Sequence, residues 1–126
     1  MTDSYERVIL VKNELFVYKI PPRTPRGYRA ADWDLDKPMW VGRLRIFAKD
    51  KMVFLRLEDK DSGALFAQCP VKDYNGVEVE KVNDSSRYFV IRILNESTNQ
   101  SLYVGIGFVD RTDAFDFNIT LHDYFR

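Results

Sequence analysis

One histidine and one cysteine, His122 and Cys69, are all that this 126-residue chain offers for imidazole or thiolate chemistry. One ligand of each type makes neither a zinc site of the usual kind nor a Cys–His nucleophile pair. Cys69 stands among apolar neighbours in a predicted strand and reads as a buried small hydrophobe. His122 lies on a predicted helix, off its apolar stripe. Asp32, Asp34 and Asp36 have the spacing of the first ligands of a calcium loop. The loop's sixth and twelfth positions would then be Lys37 and Arg43, where a Gly and a bidentate Glu are needed. These acids are expected to form a solvated extended stretch before Pro38. Gly105-Ile106-Gly107 precedes a helix but lacks the third glycine and the βα unit of a dinucleotide loop. Small residues there leave room for close packing, with the helix as one candidate. Glu58-Asp59 and Asp61, beside Lys60, read as solvated charges of a turn. No catalytic residue, metal ligand or cofactor site is expected, and the chain reads as a binding protein rather than an enzyme.

Cationic side chains form two groups with possible binding chemistry. Arg43, Arg45, Lys49, Lys51 and Arg56 surround a predicted hairpin, which is either an inositol-phosphate site or a solvated face. Arg23, Arg26 and Arg29 alternate with Tyr28 and Trp33. Arginine mixed with aromatics is the composition of a protein interface, and equally of a loop packed on the core by its aromatics.

These groups must be carried by a domain-sized chain with 45% hydrophobic and 14% aromatic residues, enough to bury a core without staples. The 19 basic residues are balanced by 19 acidic ones. That argues against nucleic acid as a partner, whose affinity rests on uncompensated Lys/Arg–phosphate contacts, and against purely electrostatic membrane binding. No signal-like segment opens the chain and no apolar run approaches the roughly 20 residues of a membrane span. A cytoplasmic monomer is expected.

Short alternating runs broken by turn residues read as antiparallel β-structure. Arg7–Lys12 and Leu15–Ile20 are expected to form a hairpin about Asn13-Glu14. An irregular stretch, Pro21–Val41, holds four of the five prolines. Strands are predicted at Gly42–Lys49, with Leu44, Ile46 and Ala48 on one face, and at Met52–Glu58 and Ala64–Cys69, the last ended by Pro70. Gly63 supplies a positive φ in the turn between the latter two. Val77–Val82 and Arg87–Leu94 pair across Asp84-Ser85-Ser86, and Ser101–Val109 follows the polar turn Asn95–Gln100. Ala114, Phe117, Leu121 and Tyr124 then recur at helical spacing, with Asp110 or Thr112 as N-cap and Phe115 and Ile119 off the buried stripe. The fold class is mainly β with a C-terminal helix: a bent antiparallel sheet or open barrel of seven or eight strands, capped by one helix. A pleckstrin-homology-like fold has this order, as do other small barrels.

Longer strings are more specific. IPPR (Ile20–Arg23), RGYRAADW (Arg26–Trp33), WVGRLRI (Trp40–Ile46), RLEDKDSGALFAQCPV (Arg56–Val71), DSSRYFVIRI (Asp84–Ile93) and GIGFVDRTDAFDFNITLHDYF (Gly105–Phe125) occur in this order. Together they resemble the N-terminal domain of the adaptin-ear-binding coat-associated proteins, the NECAP family. The resemblance implies a single pleckstrin-homology-like domain, of the type called PHear, over residues 1–126. It implies a part in clathrin-mediated endocytosis, at coated pits and vesicles. The implied partners are the clathrin adaptor complex of the plasma membrane, in its phosphorylated, open form, and Phe-x-Asp-x-Phe peptides of endocytic accessory proteins. Full-length members carry a further tail with a Trp-x-x-Phe motif, which is expected to fall outside these 126 residues. Phe115-Asp116-Phe117 resembles half of that peptide ligand, but residues two apart on a helix diverge by about 200°, so Phe117 is assigned to the core.

A phosphorylated partner is held by Arg forks, hydroxyls and free backbone N–H groups. At positions matching the family, Ser85, Ser86 and Arg87 in one turn, and Arg111 at the strand–helix junction, supply these. The alternative is that the serines merely form the turn and that Arg111 pairs with Asp110 or Asp113. Arg26, Tyr28 and Arg29 form the second candidate surface. A phosphoinositide-binding module, using the Arg43–Arg56 hairpin, is the competing function.

Overall fold

The alternating runs form seven strands: β1 (Arg7–Tyr18), β2 (Trp40–Lys49), β3 (Met52–Glu58), β4 (Leu65–Val71), β5 (Val79–Lys81), β6 (Tyr88–Asn95) and β7 (Gln100–Phe108). One helix follows, α1 (Arg111–Phe125), and a short 3-10 turn covers Ala30–Asp32. This is a computed structural model, and it describes residues 5–74, 76–95 and 98–126. All strand pairs are antiparallel, in the order β4-β3-β2-β1-β7-β6-β5. Gln68 of β4 also pairs with Leu94 of β6, so the sheet bends back on itself into an open barrel.

Period-two alternation decides which side chains enter the barrel. Leu44 and Ile46 of β2 and Val53, Leu55 and Leu57 of β3 are wholly buried, and so are Leu15, Val17, Ile91 and Ile106. α1 closes one end with Ala114, Phe117 and Leu121. The Phe117 ring lies 4.8 Å from that of Phe89 and 5.2 Å from that of Phe108. Phe115 remains 61% exposed, as the helical spacing requires. The Asp110 side chain caps the helix by accepting from Asp113 N–H at 3.0 Å. Lys12 Nζ fastens the first turns to β1 through Asp113 (3.1 Å) and Asp116 (2.7 Å). The two carboxylates raise the Lys12 pKa, with the hydrogen bond to Asp116 the largest cause.

Four expectations change. Arg7–Ile20 is not a hairpin: β1 runs unbroken through Asn13-Glu14, and the register against β2 shifts between Lys12 and Leu15. The polar pair forms a bulge, which uses the same residue types as a turn. Pro70 does not end β4, which continues to Val71 while Pro70 pairs opposite Phe54. β4 is the first strand of the sheet, so a residue without N–H is tolerated. β5 is shorter than Val77–Val82, with three residues in the ladder. The small residues of β7 make room for aromatic rings rather than for α1. A Cβ on Gly105 would lie 2.6 Å from the Trp33 ring, and one on Gly107 2.5 Å from that of Tyr88. Of the Asn95–Gln100 turn, Glu96 and Ser97 lie outside the described residues.

Candidate functional site

The turn between β5 and β6 meets the β7–α1 junction, and hydrogen bonds tie it to the end of β7. Phe108 N–H donates to Arg87 C=O at 3.3 Å, and Arg87 Nη1 donates to Val109 C=O at 3.3 Å. Arg87 N–H donates to Ser85 Oγ at 3.2 Å, which shapes the turn. A pocket of about 480 Å³ opens between them. Its wall is lined by the hydroxyl residues Ser85, Ser86 and Tyr88, the cationic Lys81 and Arg111, and Asn83 and Asn118. Val82, Phe89, Ala114 and Phe115 supply the apolar surface, and no carboxylate among the described residues lines the pocket.

Arg111 is exposed, and its side chain makes no ion pair or hydrogen bond with a described residue. The neighbouring acids are otherwise engaged, since Asp110 caps the helix and Asp113 holds Lys12. Arg111 is the first residue of α1, at the positive end of the helix dipole, where an anion is favoured. Of the four residues expected here, Ser85, Ser86 and Arg111 share the pocket. Arg87 does not line it, and instead ties the turn to the end of β7.

The second expected surface is the neighbour of the first. Asn83 N–H donates to Tyr28 C=O at 2.9 Å, and the Asn83 side-chain amide bonds Arg26 C=O. The Asp84 carboxylate accepts from Ala30 N–H (2.7 Å) and Ala31 N–H (3.0 Å). Desolvation pushes the Asp84 pKa up, but these two bonds, the Asp84 N–H and the nearby Arg29 charge together hold the carboxyl below its ordinary value. Arg26 and Arg29 are exposed along a depression between Thr24 and Asp32. Tyr28 is 7% exposed, buried with Tyr18, Trp33, Val82 and Val90. It is mainly a packing residue, because this loop is held to the sheet by its aromatics. The uncovered part of its ring looks into a second depression, of about 660 Å³, on the other side of β5.

The hairpin patch is largely neutralised from within. Glu58, expected as a solvated charge, is 6% exposed. It lies 2.7 Å from Arg43 Nη2 and 3.1 Å from Arg45 Nε. Arg56 pairs with Glu6 at 2.7 Å, and the Arg45 and Arg56 guanidinia lie over the Phe47 ring at 4.7 and 4.1 Å. Alternation brings Arg43 opposite Glu58 across β2 and β3, so the acid lies between two arginines rather than at the turn. Cys69 is wholly buried, and burial pushes its thiol up to about 12. The His122 imidazole is exposed on α1. Neither supplies a nucleophile–base pair.

Sequence reasoning missed Lys81 and Asn118. Their place in the pocket depends on α1 docking on β1 and β7 so that it faces the end of β5 across the pocket, an arrangement of distant parts of the chain. The one available signal was Lys81 itself, a cation at the end of a short strand just before the Ser-Ser turn.

Comparison with known proteins adds to this geometry. The family described as "Protein of unknown function (DUF1681)" matches residues 5–126. The chain is 59% identical over 124 residues to adaptin ear-binding coat-associated protein 1 of Mus musculus, covering 98% of this chain and 45% of that protein. It is 58% identical to adaptin ear-binding coat-associated protein 2 of Rattus norvegicus, covering 98% and 47%. The chain thus spans about half the length of these curated relatives. Among solved structures, the Ran-binding domain of the nuclear pore complex component Nup2 from Ashbya gossypii superposes with a TM-score of 0.63. That match covers 94% of this chain and 95% of that one at 10% identity, and it shows the shared pleckstrin-homology-like fold alone. The chain belongs to the DUF1681 family and is, over nearly its whole described length, a relative of the adaptin ear-binding coat-associated proteins.

Proposed function

We propose that this chain is a non-enzymatic protein-binding domain of clathrin-mediated endocytosis. Its main partner is the clathrin adaptor complex of the plasma membrane in its phosphorylated, open form, and it also takes Phe-x-Asp-x-Phe peptides of accessory proteins. The relatives' names, which couple adaptin ears with coats, support the cellular setting. One observation carries the molecular reading: Ser85, Ser86, Lys81 and an unpaired Arg111 converge on a pocket that no described carboxylate lines. A phosphate there gains charge-assisted hydrogen bonds and keeps its full negative charge. The apolar part of the same pocket suits an aromatic side chain of a peptide. Among the described residues no helix is long and apolar enough to cross a membrane, and we assign the domain a peripheral place on coated pits through its adaptor contacts.

The test is a calorimetric titration with adaptor core in phosphorylated and unphosphorylated form. The phosphorylated form binds more tightly, and Arg111→Ala removes about tenfold or more of that preference, the worth of one hydrogen bond to a charged group. Equal affinity for both forms contradicts the reading.

A further inference from the structure

We infer that the open edge of β5 receives an extended segment of the partner as an added strand, whose alternate side chains enter the depressions on the two faces of that edge. The inference rests on the phosphate-reading function proposed above and says how the segment is held.

β5 is the outermost strand and pairs with β6. Arg92 N–H donates to Glu78 C=O at 2.9 Å, so Glu78–Arg92 is a hydrogen-bonded pair of the ladder. Antiparallel pairs alternate, which makes Glu80–Val90 the next such pair and turns the N–H and C=O of Val79 and Lys81 away from β6. The far side of β6 gives the same phase. Phe108 N–H on Arg87 C=O makes Phe89–Ile106 and Ile91–Val104 the bonded pairs, so Phe89 and Ile91 face β7. Among the described residues β5 pairs with β6 alone, so the outward main-chain groups of Val79 and Lys81 face no other strand. The next residue in phase, Asn83, has its N–H taken by Tyr28 C=O at 2.9 Å. Main chain thus already pairs along this edge where the protein supplies it, and the edge is open from Val79 to Lys81.

The open stretch runs between two different depressions. Lys81 lines the pocket that holds Arg111 and Ser86. Glu80, pointing the opposite way, lines the second depression with Pro21, Pro22, Tyr28 and Tyr103. There Glu80 is itself paired with Arg23 at 3.2 Å, which leaves that side without free charge and mainly apolar. Successive side chains of a strand point to opposite faces. A segment added here places one residue beside Lys81 and Arg111 and its sequence neighbours on the proline–tyrosine surface. The occupant is an extended segment with a phosphorylated or acidic residue flanked at the adjacent positions by large apolar residues, main-chain bonds giving affinity and the two depressions giving selectivity.

Amide hydrogen exchange of the whole chain, read residue by residue with and without phosphorylated adaptor core, tests this. The inference expects Val79 and Lys81 amides to slow by about tenfold or more on binding, while Glu80, already bonded to β6, changes less. Lys81→Pro removes the outward N–H at an edge position that tolerates proline, as Pro70 of β4 shows. Its control, Lys81→Ala, removes the side chain alone. With unchanged melting temperature, the proline variant binds about fivefold more weakly than the alanine variant. If adaptor binds and protects the Ser85–Arg87 turn but leaves Val79 and Lys81 unchanged, strand addition is wrong and the phosphate-reading function stands. If phosphorylated adaptor does not bind at all, both fall.

Discussion

The β2–β3 hairpin and the junction of the β5–β6 turn with α1 both display arginine, and they use it in opposite ways. At the hairpin, Arg43 and Arg45 are engaged by Glu58, and Arg56 by Glu6 and the Phe47 ring. At the junction Arg87 is spent on Val109 C=O, and Arg111 stands without an acid in a pocket with two serines. The hairpin carries more cationic residues, yet it is the junction that we propose as the anion site. Unpaired charge in a concave, hydroxyl-lined place is what binds phosphate, and the number of cations along the chain does not report it.

The comparison extends to the helix that carries Arg111, where Phe117 is wholly buried and Phe115 is 61% exposed. Phe117→Ala is expected to destabilise the fold by about 3–5 kcal/mol in a denaturant titration. Phe115→Ala is expected to change stability by less than about 0.5 kcal/mol. Weaker adaptor binding by Phe115→Ala would sharpen the pocket's assignment.

Removing Glu58 inverts the hairpin. Glu58→Gln leaves two partly buried guanidinia without their acid and is expected to lower stability by about 2–3 kcal/mol, below the full cost of a deeply buried pair because both arginines reach solvent. The same variant is expected to gain binding to phosphoinositide vesicles in a sedimentation assay. No gain would mean that Glu58 is not what silences the patch.

At the junction, Asp84 holds the 20–39 loop against the turn, and its pKa is depressed from 3.8. A carboxylate with a lowered folded-state pKa contributes its full stability above its ordinary pKa and loses it as pH falls through the folded value. Acid titration followed by melting is expected to show loss beginning near pH 4 and continuing below it, with a smaller loss in Asp84→Asn. The smallest effect belongs to the hairpin tip. Lys49→Ala with Lys51→Ala is expected to change vesicle sedimentation by less than about twofold, since single lysines near an open hairpin tip contribute little.

How far the sequence carried depended on the range of the interaction. β2, β3 and α1 were legible because alternation, the Gly63 turn and the Ala114–Phe117–Leu121 stripe are local patterns. The bulge at Asn13-Glu14 was misread because a bulge and a turn call for the same polar residues, and the register against β2 decides between them. Glu58 was misread because its partners, Arg43 and Arg45, reach it across the ladder. Ser85, Ser86 and Arg111 are legible only through the family resemblance, because hydroxyls and an arginine are common in turns. Their meeting in one pocket, with Lys81 and Asn118, follows from the closure of the sheet and the docking of α1, which no local pattern encodes.

The central claim is that Arg111 reads a phosphate. Calorimetric titration of phosphorylated and unphosphorylated adaptor core into the native chain and into Arg111→Ala tests it most directly. The account predicts tighter binding of the phosphorylated core by the native chain. It also predicts loss of about tenfold or more of that preference in Arg111→Ala, at an unchanged melting temperature. Equal binding of phosphorylated core by the folded variant and the native chain would contradict it.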